Sequence, residues 1–536
     1  MLAVPENAPG QIKFSPIPIP FHLETDETTP RHVPATMGGG VAVFDFNKDG
    51  RPDIFFTNGA NLQTLRKDEP KYRNRLFRND GNCVFVDVTE KAGLAGNGYD
   101  NGVAVGDYDN DGYPDLFVAG VHRNTLYHNN RDGTFTDVTA KAGLGGLDAQ
   151  YGPLWSITAI WVDVNGDGLL DLFVVNYLQW DYATEPVCRS QDLSDYCAPT
   201  FYKGLPNQLF LNQRDGIFKD VSADWGLRPH VGKGMGVASA DYDLDGRPDL
   251  FVTNDGYYNF LFHNAGNKFE EVGFQIGSAL TEDGDFVSGM GLDFRDLDND
   301  GYPDVGFAAL KNETFPIFRN EKGKEFREIT ASSGMREASL RHSGFGLAMY
   351  DFDNDGWKDI FVTGGHVLSR MTPGVDVDEY NMVFRNPGPT GKWRALVEEA
   401  GLDAVARSRH RGCGFGDFDG DGRVDAVVTA LGSEAEVWIN RSEKVGHWLD
   451  IALEGTRSNR DGIGTRIKVV TKSGAQYNHM TTSVGYASSS DGPVHFGLGD
   501  DARVQSIELV WPSGIVQTLR DVASDRVLAI KEPGTR

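Results

Sequence analysis

Long hydrophobic runs are missing: no stretch of about 18 apolar residues occurs in the 536 positions, so no membrane-crossing helix is expected. Cysteine is scarce. The four residues Cys83, Cys188, Cys197 and Cys413 are too few for a disulfide scaffold and lack the C-x-x-C spacing of a zinc site. Positive charge is in deficit, with 51 Lys and Arg against 77 Asp and Glu; the net charge of −26 opposes binding to nucleic acid or an anionic membrane. The opening MLAVPENAPG has neither a basic n-region nor an apolar h-region, so no secretory signal is expected there. Nucleophile elbows, P-loops, dinucleotide fingerprints and HExxH are absent too.

Glycine, by contrast, is abundant at 65 residues, well above the usual share of about 7%. The chain turns often. Its length alone predicts about three or four domains, unless it is a repeat array. A repeat is present. The pattern D-x-[DN]-x-D-G-x-x-D recurs seven times between apolar segments, with starts 55 to 78 residues apart. Around each copy lie apolar runs of four to six residues bounded by Gly, Asn and Asp, as in GVAVG, DLFVAG, NTLYHNN and TFTDVT around the second copy. These are strands and tight turns. Four strands per repeat, seven times over, predict an all-β, seven-bladed β-propeller rather than an open solenoid. Blade 7 supplies only three strands of its own, near Gly412–Gly416, Asp425–Ala430 and Glu436–Asn440. The segment Gln11–Ser15 is expected to add the fourth, kept short by Pro16, Pro18 and Pro20.

Carboxylates at positions 1, 3, 5 and 9 of the repeat converge only if the backbone curls around a cation. Glycine at position 6 permits that turn. The predicted side-chain ligands begin with Asp45, Asn47, Asp49 and Asp53, then Asp107, Asp109, Asp111 and Asp115, then Asp163, Asn165, Asp167 and Asp171. They continue with Asp241, Asp243, Asp245 and Asp249, then Asp296, Asp298, Asp300 and Asp304. Asp351, Asp353, Asp355 and Asp359, then Asp417, Asp419, Asp421 and Asp425, complete the set. Position 7 adds a backbone carbonyl from Arg51, Tyr113, Leu169, Arg247, Tyr302, Trp357 and Arg423. All-oxygen donors favour calcium over magnesium, which demands tighter octahedral geometry. The spacing is that of an EF-hand loop, but position 12 is Phe56 in copy 1 and Val118 in copy 2 instead of glutamate. Loop aspartates number 26, equal to the whole net negative charge. Up to seven calcium ions, structural rather than catalytic, are expected.

These motifs resemble the FG-GAP/VCBS repeats of integrin-α-like propellers. The stretches HWLDIALEGTRSNRDGIGTRIKVVTKSG, GYASSSDGPVHFGLGD and IELVWPSGIVQTL resemble the ASPIC/UnbV domain, which follows such propellers in the cartilage acidic protein-like family. The resemblance implies a calcium-binding propeller over residues 1–445, a small all-β unit of sandwich type over 446–536, and a secreted or periplasmic location. It implies no single biochemical activity.

In a propeller the acidic A–B hairpins occupy one face, and the B–C and D–A connections the other. The long insertions Asn58–Arg73, Asn176–Pro206 and Gly364–Tyr380 are all B–C connections, and the middle one is rich in aromatics. His230, Asp285, His342, His366 and His410 fall on that second face and are the candidate acid/base or ligand-contact residues. Two classes of function follow. One is a calcium-rigidified binder of a protein, glycan or small molecule. The other is a calcium-dependent acid/base enzyme of isomerase, cyclase or lyase type, acting on a small, hydrophobic substrate in that face. Cys188 and Cys197, nine positions apart in one insertion, are expected to pair in an oxidising compartment, with Cys83 and Cys413 free.

Overall fold

The computed structural model of the chain describes residues 11–490 and 492–534. The leader expectation for residues 1–10 lies outside the described residues. Seven four-stranded antiparallel sheets dominate. Blade 2 is representative, with strands Tyr99–Gly106, Asp115–Val121, Thr125–Asn129 and Phe135–Asp137 in consecutive order. The first two strands are buried throughout. That is why the sequence shows apolar runs here and not strict alternation: both faces of each inner strand meet a neighbouring blade.

The core is divided among the junctions between blades. Val103, Val105 and Leu116 of blade 2 pack on Phe44, Phe55 and Leu76 of blade 1. Equivalent clusters fill the junctions 2/3, 3/4, 4/5, 5/6 and 6/7. A seventh joins Val427 and Val437 of blade 7 to Val41, Val43 and Phe56 of blade 1. The ring is closed.

Blade 7 takes its outer strand from the N-terminus, as expected, but the strand runs from Phe14 to His22 and not over Gln11–Ser15. Gln11 joins no ladder and makes an isolated bridge to Glu443. The prolines do not shorten the strand because of their parity. The Phe14 N–H points outward, to Ala400 O at 2.8 Å. Pro16 and Pro18 share that outward parity, and Pro20 lies in the irregular stretch between Pro18 and His22, so no ladder hydrogen bond is lost at this edge.

Beyond blade 7 lie two further sheets. One orders Val494–Gly499, His447–Glu454 and Arg526–Lys531, the last two in parallel; the other orders Ala475–His479, Arg466–Val470, Arg503–Val510 and Val516–Ala523. Their shared core, with Leu449, Ile467, Ile507 and Trp511, is continuous with the junction of blades 2 and 3. Among the described residues no helix is long and apolar enough to cross a membrane.

Candidate metal centre and the opposite face

The seven acidic loops share one hydrogen-bond scheme. Asp45 Oδ1 accepts the Asp49 N–H (3.0 Å) and Oδ2 the Gly50 N–H (2.7 Å). Asp107, Asp163, Asp241, Asp351 and Asp417 repeat both bonds, and Asp296 keeps the bond to Gly301. Position 6 lies at φ between +81° and +97° in all seven loops, which only glycine takes without strain.

Position 9 has a second task. The Asp53 carboxylate bridges the Phe46 N–H (3.2 Å) and the Asn79 N–H (2.7 Å), tying the loop to the third strand. The Asn79 side chain then donates to Phe418 O (2.9 Å), in the loop of the preceding blade. Asn129, Asn212, Asn264, Asn320, Asn386 and Asn440 do the same to Phe46, Tyr108, Val164, Tyr242, Leu297 and Phe352. Seven asparagine clamps thus circle the ring and fasten each acidic loop to its neighbour. Their sequence signal was the Asn closing each third strand (LFRN, LYHN, LFLN, LFHN, IFRN, VFRN, VWIN).

The side chains at positions 1, 3 and 5 converge. In Asp107/Asp109/Asp111, Asp241/Asp243/Asp245 and Asp296/Asp298/Asp300, one carboxylate oxygen per residue lies within 4.8 Å of the others. Burial, with neighbouring carboxylates, pushes Asp107 up to about 8 and Asp163 to about 6. Asp296 Oδ1, Asp353 Oδ1 and Asp419 Oδ1 are buried without a hydrogen-bond partner. Crowded, orphaned carboxylate oxygens with no sulfur among them fit a hard divalent cation. Arginines partly offset the charge, as in Arg131–Asp111 (2.6 Å) and Arg385–Asp353 (2.8 Å). Arg51, Arg247 and Arg423 pair with Asp49, Asp245 and Asp421 within their own loops. Among the described residues, the loops of blades 3 and 5 have no ion pair to their carboxylates. Sequence reasoning missed His128 and His263, which stand 3.2 and 3.1 Å from Asp115 and Asp249.

The C-terminal sheets cover this acidic face. Asp107 N–H donates to Asp461 (2.8 Å), Arg460 N–H to Asn110 (2.7 Å), and Arg466 pairs with Asp241 (3.3 Å). His495 joins Asp450 (2.7 Å) to Asn354 (2.8 Å). A segment over 481–490 then enters the channel and bonds the inner strands. Ser489 exchanges main-chain bonds with Val41 and Val43, at 2.9 Å each. Ala487 O accepts Val103 N–H (3.1 Å), Ser483 Oγ donates to Val237 O (3.0 Å), and Ser490 Oγ accepts Phe415 N–H (3.2 Å). Innermost strands are open edges, and the plug satisfies them. The approach needs small residues: a Cβ on Gly291 would lie 2.7 Å from Gly485. Ser488–Ser490 of SSSDG therefore belong to the plug inside the channel.

On the opposite face the five candidates do not converge. His342 is half-buried beside Glu379 (3.1 Å), on an open cavity of about 490 Å³. His230 packs on Phe260 and Phe262, and Asp285 is exposed in its own turn. His366 Nδ1 accepts the Leu368 N–H (3.1 Å). His410, expected in an accessible loop, is 1% exposed inside a strand, bonded to Gly364 O (2.8 Å) and Glu436 (3.0 Å). It is an anchor. The aromatics of the long insertion do not line an open funnel: Tyr177, Trp180 and Tyr196 are buried with Trp155 in one core over the mouth. Cys188 and Cys197 form a disulfide on the hairpin of Cys188–Ser190 and Leu193–Asp195; Cys83 and Cys413 are free.

A closed ring of blades, each carrying one acidic hairpin, defines a class, and comparison with known proteins agrees. The chain belongs to the FG-GAP-like repeat family, whose pattern matches residues 45–118, 107–174, 197–252, 241–307, 296–362 and 351–428. Residues 455–536 match the ASPIC and UnbV family. Cartilage acidic protein 1 of Xenopus tropicalis is 23% identical over 95% of this chain and 76% of its own length. The Homo sapiens protein of that name is 24% identical over 93% and 72%. Integrin alpha-4 of Xenopus laevis is 30% identical, over 32% of this chain and 18% of its own. Among solved structures, a BBS1N–ARL6DN complex aligns at TM-score 0.42 and 8% identity, over 81% of this chain and 98% of its own. An Agrocybe aegerita lectin aligns at TM-score 0.38 and 16% identity, over 74% and 87%.

Proposed function

We propose that the chain is a calcium-stabilised propeller, secreted or periplasmic, that binds a protein, glycan or small-molecule ligand through the face opposite its acidic loops. Residues 1–445 form the binding unit and 446–536 its cover. One observation carries the choice of face: the acidic loops lie under the C-terminal sheets, through the Asp107–Asp461 and Arg466–Asp241 contacts, while the long insertions face outward. Calcium held by positions 1, 3 and 5 supplies countercharge to crowded carboxylates, and the chemistry of that cation is structural. His342 beside Glu379 is open to solvent, unlike the buried His410–Glu436 pair, and it keeps the acid/base enzyme as the second reading.

The test is binding to a panel of immobilised matrix proteins and glycans, with charge introduced at exposed apolar residues. Phe201→Asp and Met371→Asp, at positions 63% and 56% exposed on the insertions, should abolish a bound signal without moving the melting temperature. Loss confined to Val516→Asp, 61% exposed on the C-terminal sheets, would move the binding surface to that unit.

A further inference from the structure

Beneath the insertions, the channel mouth sets two guanidinium groups on a single carboxylate, with a third guanidinium buried two residues along the chain. Arg409 is 2% exposed and Arg411 fully buried, flanking His410 at the start of the inner strand of blade 7. Arg31 comes from the N-terminal segment that crosses the mouth, and its side chain is 15% exposed. Glu27 serves both ends of the group, 2.6 Å from Arg409 Nη2 and 3.0 Å from Arg31 Nη1. Burial alone would raise the Glu27 carboxyl, yet Arg409, with Arg31, holds it below its usual range.

Arg411 has no carboxylate partner among the described residues. It lies 3.6 Å over the Phe345 ring and donates to the carbonyls of Thr36 (2.7 Å), His410 (2.8 Å) and His366 (3.1 Å). Those bonds use three of its five N–H groups. Burial and then the charge of Arg409 press its guanidinium down to about 9. Arg31 Nε and Arg409 Nε are buried and make no hydrogen bond. The other carboxylates of the mouth are already engaged. Glu185 holds His32, the Val33 N–H and Tyr202; Asp195 holds Ser369 and Thr372; Asp26 holds Leu62 N–H and Tyr72. In a chain of net charge −26, three guanidinium groups here have one carboxylate between them, and Arg411 has none of its own.

We propose that this cluster is an oxyanion site, taking a carboxylate or a sulfate-like group that enters past the partly exposed Arg31 and Glu27. Guanidinium forks suit either anion, since both offer paired oxygens at fixed spacing. The Tyr196 ring, buried and 6.0 Å from Arg31 Cζ, shields one side of the cluster from water. The inference rests on the loop-rich face being the ligand face and names the chemistry of its inner end.

Isothermal titration of the full chain with sodium acetate, and separately with sodium sulfate, in calcium-containing chloride buffer at matched ionic strength tests it. A saturable one-site heat is expected with at least one anion. Arg31→Gln should weaken it by about tenfold or more, the effect of deleting a charge-assisted donor, and Arg409→Gln should abolish it. Arg411→Gln sits too deep to be a clean test, so Arg31→Gln, nearer the surface, carries the decision. No saturable heat with either anion overturns the proposal. So does equal affinity in the wild type and Arg31→Gln, which means an adventitious ion only. The Phe201→Asp panel reads the outer insertions alone, so failure of either reading shows without the other.

Discussion

The two faces of the ring are built by opposite means. On the acidic face, seven loops repeat the same bonds, and seven asparagines pass the load from blade to blade. On the other face the repetition stops at the strand ends, where Thr57, Thr253, Thr363 and Thr429 each donate to a carbonyl of the next blade. Single insertions fold over the mouth, fixed by contacts between distant segments such as His32–Glu185 and Thr372–Asp195. The regular face is capped by another unit of the chain, and the irregular one is roofed by its own loops. Repetition therefore builds the scaffold, and the proposed recognition is assigned to the variable side.

The plug joins the two faces, so removing it tests whether they are separable at all. Tyr486 is fully buried, donates to Met37 O (2.9 Å) and packs edge-on against Phe345. Tyr486→Ala should cost about 4 kcal/mol in chemical denaturation, with loss of packing as the cause. A cost under about 1 kcal/mol would show a channel that stands without its plug. Next is the clamp. Asn129→Ala strands the carbonyls of Phe46 and Pro114, bonded at 3.0 and 3.2 Å, and should cost about 3 kcal/mol. The cover is fastened by Glu532, whose carboxylate accepts the N–H groups of Thr456, Arg457 and Ser458. Burial pulls that carboxyl upward, but the Ser513 hydroxyl and these N–H groups prevail and hold it at about 2. Its stabilisation is present above the unfolded value of 4.5 and is lost as pH falls toward about 2. Glu532→Gln should cost about 2 kcal/mol at pH 7, and the gap to wild type should close on acidification. Smallest is His342→Ala, under about 0.5 kcal/mol, because the ring is partly exposed. His410→Ala, by contrast, removes a buried anchor and should cost about 2 kcal/mol.

The sequence made one face legible and hid most of the other. The repeat, the strand boundaries and the position-6 glycines were local signals, and they placed the blades and loops correctly. The parity of Pro16 and Pro18 was equally visible but became meaningful only once Glu434–Asn440 was known as the neighbour. His410 was misplaced because burial depends on Gly364 and Glu436, 46 and 26 residues away. The plug was invisible for the same reason, since SSSDG reads as a turn until the inner strands of other blades supply its partners. No spacing rule connects Ser489 to Val41. The mouth arginines belong to the same class: Arg31 and Arg409 meet over Glu27 from opposite ends of the ring's closure.

Melting in excess chelator, followed by readdition of calcium or magnesium, tests the central claim most directly. Seven loops of crowded aspartates should lower the melting temperature strongly when calcium is removed. Each site filled only in the folded state adds about 2.7 kcal/mol at a hundredfold excess over Kd. Calcium should restore the transition better than magnesium. A melting curve unchanged by excess EDTA would contradict the account.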